Sequence, residues 1–326
     1  MPRYFVTGAT GFIGGELVKQ LVGRGHQVVA LVRSPDRTTV LRALGVELYT
    51  GDIVDRESLR APMMGADGVF HVAAWYKIGQ RGPHAARVNV DGTRHVLETM
   101  REVGVPKGVY TSTVGVFGDT HGELVDEGYF ARGPFLTEYD RTKWKAHYEV
   151  ALPMIEAGLP LVIAMPGLVY GPGDTSAVRT SLVRLLRGRL PITPTGSSYC
   201  WGYIEDTARG LIQALEAGKT GESYLLTGPV HDFDAAFDIA ARLANRHPPL
   251  LHPGPTFMRV AAAAARALES VDLRLPYSSE ALRLLAGTTW IGSSEKAQTE
   301  LGFRPRSLED GLRPTIEHEL RALGMA

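Results

Sequence analysis

The chain has 326 residues, 44% of them apolar and 21% charged, and its 35 basic and 35 acidic residues are interleaved to a formal net charge of +0. That balance argues against a nucleic-acid or anionic-membrane surface as the main partner and favours small molecules. A single cysteine, Cys200, excludes an intramolecular disulfide framework, and Met1-Pro2-Arg3 runs straight into a strand with no room for a signal peptide, which predicts a cytoplasmic protein.

Tyr4-Phe5-Val6-Thr7 is a short apolar, β-rich stretch, and Glu16 to Arg24 carries Leu17, Val18, Leu21 and Val22 at helical spacing. Between them stands Gly8-Ala9-Thr10-Gly11-Phe12-Ile13-Gly14. Strand, glycine turn and helix in this order bind a dinucleotide. Gly8 allows the sharp turn, Gly11 the approach of backbone to a pyrophosphate, and Gly14 close packing of helix on sheet. The phosphates rest on free N–H groups at the helix start, so Gly8, Thr10, Gly11, Phe12, Ile13 and Gly14 form the predicted cofactor turn. The spacing is G-x-x-G-x-x-G, a variant of the usual fingerprint.

Further apolar runs predict strands at Gln27 to Val32, Val46 to Thr50, Gly68 to Ala74, Gly108 to Ser112 and Leu161 to Met165. Helical segments separate them, around Arg37 to Leu44, Arg56 to Met63, Ala85 to Val103 and Thr137 to Ala157. Strands joined by crossover helices build an α/β fold with a doubly wound parallel (Rossmann) sheet. Beyond Pro166 the alternation stops, and Gly167, Gly171, Pro172, Gly173, Pro191 and Pro194 punctuate the chain. We therefore expect a dinucleotide-binding domain over 1–170 and a smaller C-terminal α/β substrate lobe over 171–326, with about 202–228 returning to the first domain. The lobe's predicted elements are helices at Ser176 to Arg187 and Ile204 to Ala217, a strand at Ser223 to Thr227, and helices after Phe233. Val260 to Leu268, broken by Arg266, is too short to span a bilayer and predicts a buried helix.

The end of the second strand meets the adenosine ribose, where an acid suits a free 2′-hydroxyl and an arginine a 2′-phosphate. Arg33 stands there, followed by Ser34, and Asp36 is expected to cap the next helix. NADP(H) is favoured, with NAD(H) possible. Asp52 could accept a hydrogen bond from the adenine amino group while Ile53 covers the ring, although Asp52 also suits a turn. Val72-Ala73-Ala74 ends the fourth strand with small side chains, so Ala73 and Ala74 let a ribose or diphosphate approach the backbone.

Tyr139-Asp140-Arg141-Thr142-Lys143 places a Tyr and a Lys on one helix face. A free phenol has a pKa of about 10, and a nearby ammonium favours its phenolate, so Lys143 is expected to bring Tyr139 toward working pH. Upstream, Tyr110-Thr111-Ser112-Thr113-Val114-Gly115-Val116-Phe117-Gly118 leads a strand into a hydroxyl-rich turn. Thr113 could hold a substrate carbonyl against Tyr139, and Thr111 belongs to the cofactor floor. Three successive hydroxyls leave the choice among them open, and all could simply satisfy backbone groups at a strand end.

These motifs, together with Asn89-Val90-Asp91-Gly92-Thr93, Pro166-Gly167-Leu168-Val169-Tyr170-Gly171-Pro172-Gly173 and the tail from Gly292 to Pro305, occur in the order seen in extended short-chain dehydrogenases/reductases. The chain resembles their NAD-dependent epimerase/dehydratase group and, within it, the dihydroflavonol-reductase branch. The resemblance implies that Tyr139 is the general acid/base, that Lys143 binds the nicotinamide ribose, and that Thr113 fills the Ser/Thr role. Pro166 and Val169 would lie along the nicotinamide, and Asn89 would orient water or the proton-relay helix. It also implies a homodimer formed through the helices at Ala85 to Val103 and Thr137 to Ala157. Thr142 replaces a commoner Ser, and Ala164-Met165 stands where many relatives have Arg or Asn, which weakens a sugar-nucleotide reading.

The leading expectation is NADPH-dependent reduction of a ketone or aldehyde, a reversible oxidoreductase reaction on a small-molecule carbonyl. Rivals are a nucleotide-sugar epimerase or dehydratase, for which Arg179, Arg184, Arg187 and Arg189 could meet a diphosphate, and a cofactor-sensing protein that lost catalysis. Trp75, Tyr76, Val114, Phe117, Tyr199 and Trp201 are the expected substrate rim and suggest an apolar or aromatic substrate. His71, His84, His95, His121 and His147 show no metal-ligand spacing, so no catalytic metal is expected, and His71 reads as a buried, satisfied residue.

Overall fold

The computed structural model describes residues 1–34, 36, 38–79, 82–269 and 278–325. Its first half repeats strand and helix: β1 (Arg3–Thr7), α1 (Phe12–Gly23), β2 (Gln27–Val32), α2 (Thr39–Ala43), β3 (Glu47–Thr50), α3 (Glu57–Met63) and β4 (Gly68–His71). Next come α4 (Pro83–Ala86), a π-type turn over Arg87–Gly92, α5 (Thr93–Glu102), β5 (Gly108–Thr111) and a tight 3-10 turn over Val114–Phe117. Then α6 (Glu138–Lys145), a second π-type turn over Ala146–Ala151 and α7 (Leu152–Glu156) lead to β6 (Leu161–Pro166).

Seven parallel strands form the main sheet in the order β3-β2-β1-β4-β5-β6-β9, where β9 is Ser223–Leu226. Successive side chains of a strand point to opposite faces. Phe5, Val29 and Leu31 accordingly enter one core, and Tyr4, Val6, Val28, Ala30 and Val32 the other. Both faces are covered, so these strands read as unbroken apolar runs. The order reverses between β1 and β4, which pair from Tyr4↔Gly68 to Thr7↔His71, and a ligand crevice opens beyond the carboxyl ends of strands at such a switch point.

At Gly167 the chain leaves the large sheet. A Cβ there would lie 2.5 Å from the Cys200 carbonyl oxygen, so only glycine lets β7 (Leu168–Tyr170) run beside β8 (Ser198–Tyr203). β8 also pairs with β10 (Val230–Asp232) and β11 (Thr289–Trp290). Around this small sheet lie α8 (Ala177–Leu186), α10 (Phe233–Leu243), α11 (Pro255–Glu269), α12 (Ser279–Leu284) and α14 (Leu308–Ala322), while α9 (Ile204–Glu216) packs on α1, and α13 (Glu295–Leu301) on β9.

Several expectations need correcting. β4 ends at His71, and Val72 to Ala74 continue as loop into the crevice. Arg37 lies outside the described residues; the helix there begins at Thr39, with Thr38 and not Asp36 at its cap position. The two long predicted helices are each interrupted by a π-type turn, a feature without a periodicity signal. α11 is not buried: Met258, Ala262 and Ala265 face inward, whereas Val260 is 66% exposed. No described helix is long and apolar enough to cross a membrane.

Candidate active site at the sheet switch point

Gly8 has a φ of +78°, and a Cβ there would sit 2.6 Å from the Ala73 amide nitrogen. Gly14 is tighter still, since its Cβ would lie 2.1 Å from the Gly8 carbonyl oxygen. The turn is therefore compressed between α1 and the end of β4. Gly11 occupies the N-cap position of α1 in extended conformation; no side chain caps this end, and no acid occupies its first turn. Free N–H groups at an uncapped helix start suit an anion, so the turn fits the diphosphate of a dinucleotide. Phe12 and Ile13 pack toward the core of the small sheet, bringing β7 and Val169 to the same crevice. Arg33 follows β2 and is exposed, with no acidic side chain on that strand or at its end.

α6 begins with a good cap: Thr137 Oγ1 accepts the Asp140 N–H at 3.0 Å and donates to Asp140 Oδ2 at 2.6 Å. This sets Tyr139 and Lys143 on the face turned to β5. Lys143 is buried; its Nζ donates to the Thr111 carbonyl oxygen at 2.7 Å and stands 4.4 Å from the centroid of the Tyr110 ring. Burial lowers the Lys143 amine to about 7. The Tyr139 phenol moves the other way, above its ordinary range, chiefly through burial and then through Tyr76, Asp140 and Tyr110, while the Thr113 side chain pulls it down as a hydrogen-bonding partner. Burial thus pushes the two groups in opposite directions, since loss of water disfavours the phenolate of Tyr139 and the ammonium of Lys143 alike.

The three successive hydroxyls separate by role. Thr111 Oγ1 is buried without a partner on the floor of the crevice. Ser112 Oγ bonds His147 Nδ1 at 2.8 Å. Thr113 accepts the Gly115 N–H at 3.1 Å, capping the 3-10 turn, and faces Tyr139.

Behind these side chains a buried polar chain joins the glycine turn to α6. Thr7 Oγ1 lies 2.8 Å from His71 Nδ1, and His71 Nε2 lies 2.9 Å from Thr93 Oγ1. Thr93 donates to the Asn89 carbonyl oxygen at 2.7 Å, so its oxygen accepts from Nε2–H, and Nδ1 accepts the Thr7 hydroxyl. Burial and Lys143 keep this imidazole neutral, with a pKa near 3. The Asn89 side chain brackets Trp75 through that residue's N–H and carbonyl and donates to Thr142 Oγ1 at 2.9 Å.

The expected substrate rim divides. Tyr76 is 55% exposed, and its ring meets that of Tyr139 edge to face at 4.9 Å; Trp75 is half-buried beside it. Val114 and Phe117 are instead buried in the core of the large sheet, and Tyr199 and Trp201 in that of the small one, with Trp201 only 2% exposed and donating to the His231 carbonyl. They are core plugs, as large side chains at strand ends often are. Ile53 is likewise buried, against Gly92, and Asp52 Oδ1 accepts the Val54 N–H at 3.2 Å in a local turn. Arg179 forms a two-pronged pair with buried Glu319, at 2.7 and 3.0 Å. Two buried carboxyl groups near Tyr139 escaped the sequence reading. Asp140 has Oδ1 without a partner, and its pKa is raised to about 7 by burial; Glu280 arrives from α12. Neither lies in a spacing that signals chemistry. Among the described residues no group of three or more His, Cys, Asp or Glu side chains could hold a metal.

A parallel Rossmann sheet with a glycine turn at its switch point and a Tyr-x-x-x-Lys helix beside it defines a dinucleotide-dependent oxidoreductase. The chain belongs to the NAD dependent epimerase/dehydratase family, whose profile matches residues 4–227, and it is an NAD(P)-dependent enzyme. It is 37% identical over 237 residues to a Synechocystis sp. protein of the dihydroflavonol 4-reductase type, covering 68% of this chain and 67% of that one. It is 31% identical to the 2-alkyl-3-oxoalkanoate reductase of Stenotrophomonas maltophilia, over 95% of this chain and 97% of that protein. The crystal structure of gox2253 superposes with a TM-score of 0.86 at 28% identity, covering 100% of this chain and 99% of that one.

Proposed function

We propose that this enzyme reduces a ketone or aldehyde with NADPH, reversibly, with Tyr139 as the proton donor. The observation that carries the reading is the placement of Tyr139 on α6, one turn before Lys143, with its phenol hydrogen-bonded to the Thr113 side chain and its ring against that of Tyr76 at 4.9 Å, beside the switch-point crevice. A phenol paired with a second hydroxyl at the crevice is suited to exchange a proton with an oxygen gaining or losing negative charge. Thr113 donates to the same oxygen and Tyr76 closes the rim, so the carbonyl is oriented between two hydroxyls. When bound, the nicotinamide supplies or accepts the hydride. Thr111 Oγ1, Lys143, Pro166 and Val169 would hold its ribose and ring, the glycine turn its diphosphate and Asp52 its adenine amino group, while the small side chains of Ala73 and Ala74 would let it approach the backbone. Arg33, with no acid near it at the strand end, favours the 2′-phosphate of NADPH over NADH.

Reduction is preferred over nucleotide-sugar epimerisation because Arg179, the first of the cations available to a diphosphate, is held by Glu319. We also infer a cytoplasmic homodimer, to be checked by sedimentation.

The test is consumption of NADPH and of NADH with aromatic and aliphatic aldehydes and ketones, and with nucleotide sugars as the competing set. Turnover of a carbonyl compound with NADPH ahead of NADH is expected. Tyr139→Phe should lose about 10²- to 10⁴-fold in kcat while still binding NADPH; near-normal activity in that variant would overturn the assignment. Cofactor that copurifies and does not exchange, together with turnover of nucleotide sugars only, would favour the epimerase reading.

A further inference from the structure

The short helix α12 grips the start of the Tyr139 helix. Glu280 is 3% exposed, and its two carboxylate oxygens serve two different walls of the crevice. Oε1 accepts the Glu138 N–H at 3.1 Å, at the residue immediately before Tyr139, and Oε2 accepts the Gly79 N–H, at the end of the loop that carries Trp75 and Tyr76. Three residues further along α12, Arg283 Nη2 donates to the Leu136 carbonyl oxygen at 3.1 Å, just before the Thr137 cap. α12 is itself held from behind. Ser278 caps it through the Ala281 N–H, the Glu269 carboxylate binds both the N–H and the hydroxyl of Ser279 at 2.7 and 2.6 Å, and Tyr199 donates to the Leu284 carbonyl at 2.6 Å. Gly79 has a φ of +82°, and a Cβ there would meet Ser278 Oγ at 2.5 Å, so the loop passes α12 closely.

The first N–H groups of a helix lack intrahelical partners. In α6 the Asp140 N–H is taken by its own cap, whereas the Glu138 N–H is taken by a carboxylate from the other lobe. A buried carboxylate is costly unless its hydrogen bonds are made, and charge-assisted bonds to backbone N–H groups at a helix N-terminus are strong and directional. Two such bonds from one rigid carboxylate fix the separation of the two amides it joins. Those amides belong to Gly79, three residues after Tyr76, and to Glu138, immediately before Tyr139, and the rings of the two tyrosines meet at 4.9 Å.

We propose that Glu280 is a positioning residue for the reaction, holding the Tyr76 loop and the Tyr139 helix in register and tying both to the C-terminal lobe. This rests on the reading of Tyr139 as proton donor. The bonds Glu280 makes are to the Glu138 and Gly79 amides, outside the glycine turn, so its loss is expected to act on proton delivery and not on cofactor binding.

The experiment uses the full chain with saturating NADPH as the added ligand, comparing wild type, Glu280→Ala, Glu280→Gln and Tyr139→Phe. Deuterium uptake is measured over 75–79 and 136–140, NADPH affinity by fluorescence titration, and kcat and KM with the carbonyl compound of the panel above that wild type turns over fastest. In Glu280→Ala, uptake should rise in both segments and kcat fall roughly 10- to 100-fold, the scale of a misplacement of about 1 Å, with NADPH affinity nearly unchanged. Glu280→Gln keeps one acceptor and should fall between, which preserves the test if the alanine variant does not fold. Unchanged uptake in both segments, unchanged kcat, or a loss of NADPH affinity as large as the loss of kcat would overturn the proposal. Full activity in Tyr139→Phe would instead sink the proton-donor reading, a result separate from the uptake changes in the Glu280 variants.

Discussion

Lys143 stands with its Nζ 4.4 Å from the centroid of the Tyr110 ring, so the amine of the Tyr-x-x-x-Lys pair rests on an aromatic face as well as on the Thr111 carbonyl. An ammonium gains from a ring face, yet burial still draws this amine down to about 7.

The first prediction follows from that cost. Where the folded-state pKa of an amine is lowered, the penalty to folding is complete below that value and fades as pH rises toward the ordinary lysine pKa of about 10.4. Lys143→Met should therefore be at least as stable as wild type at about pH 6, by about 1–2 kcal/mol, with the advantage shrinking toward about pH 9. Its turnover should fall at the same time. Thermal melts at the two pH values check this, and a variant that is less stable at the lower pH refutes it.

Asp140 carries the opposite sign. Its carboxyl is raised to about 7 by burial, so the native state holds a proton that the unfolded chain has released. Stability from this group falls as pH rises from about 4 to about 7 and stays low above that. Asp140→Asn should flatten the slope and gain about 2 kcal/mol at about pH 8 relative to wild type. Urea unfolding at about pH 5 and pH 8 reads the difference directly.

His71 links the glycine turn to the Asn89 bracket as a neutral Nε2–H imidazole. His71→Leu leaves the Thr7 hydroxyl without its acceptor and Thr93 without its donor, at a cost of about 1–3 kcal/mol. Because the native imidazole resists protonation until about 3, stability is lost as pH falls through the ordinary histidine value of about 6.5. The variant should lack that part of the acid limb, and it should bind NADPH more weakly, since Thr7 leads into Gly8. Denaturation curves against pH and a fluorescence titration measure both.

Much of this architecture is legible in the residues themselves. The switch point could be read because Gly8 and Gly14 are demanded by backbone contacts, and the parallel strands because both of their faces are buried. The opposed titrations of Tyr139 and Lys143 were hidden, since spacing tells that two side chains share a helix face but not how much water each loses. Trp201 and Phe117 looked like rim residues for a related reason: a large ring in a punctuated segment has the same letter whether it plugs a core or lines a cleft. Glu280 was out of reach altogether, because its partners are two backbone amides far away in the chain.

The seventh strand of the main sheet, Ser223–Leu226, comes from beyond the excursion that builds β7 and β8. A fragment cut after β6 would leave the unpaired amides and carbonyls of a fully buried strand facing solvent, an open template for pairing with another chain. Expression of the N-terminal part alone should thus yield aggregates, and the two lobes must be inherited, swapped or engineered together.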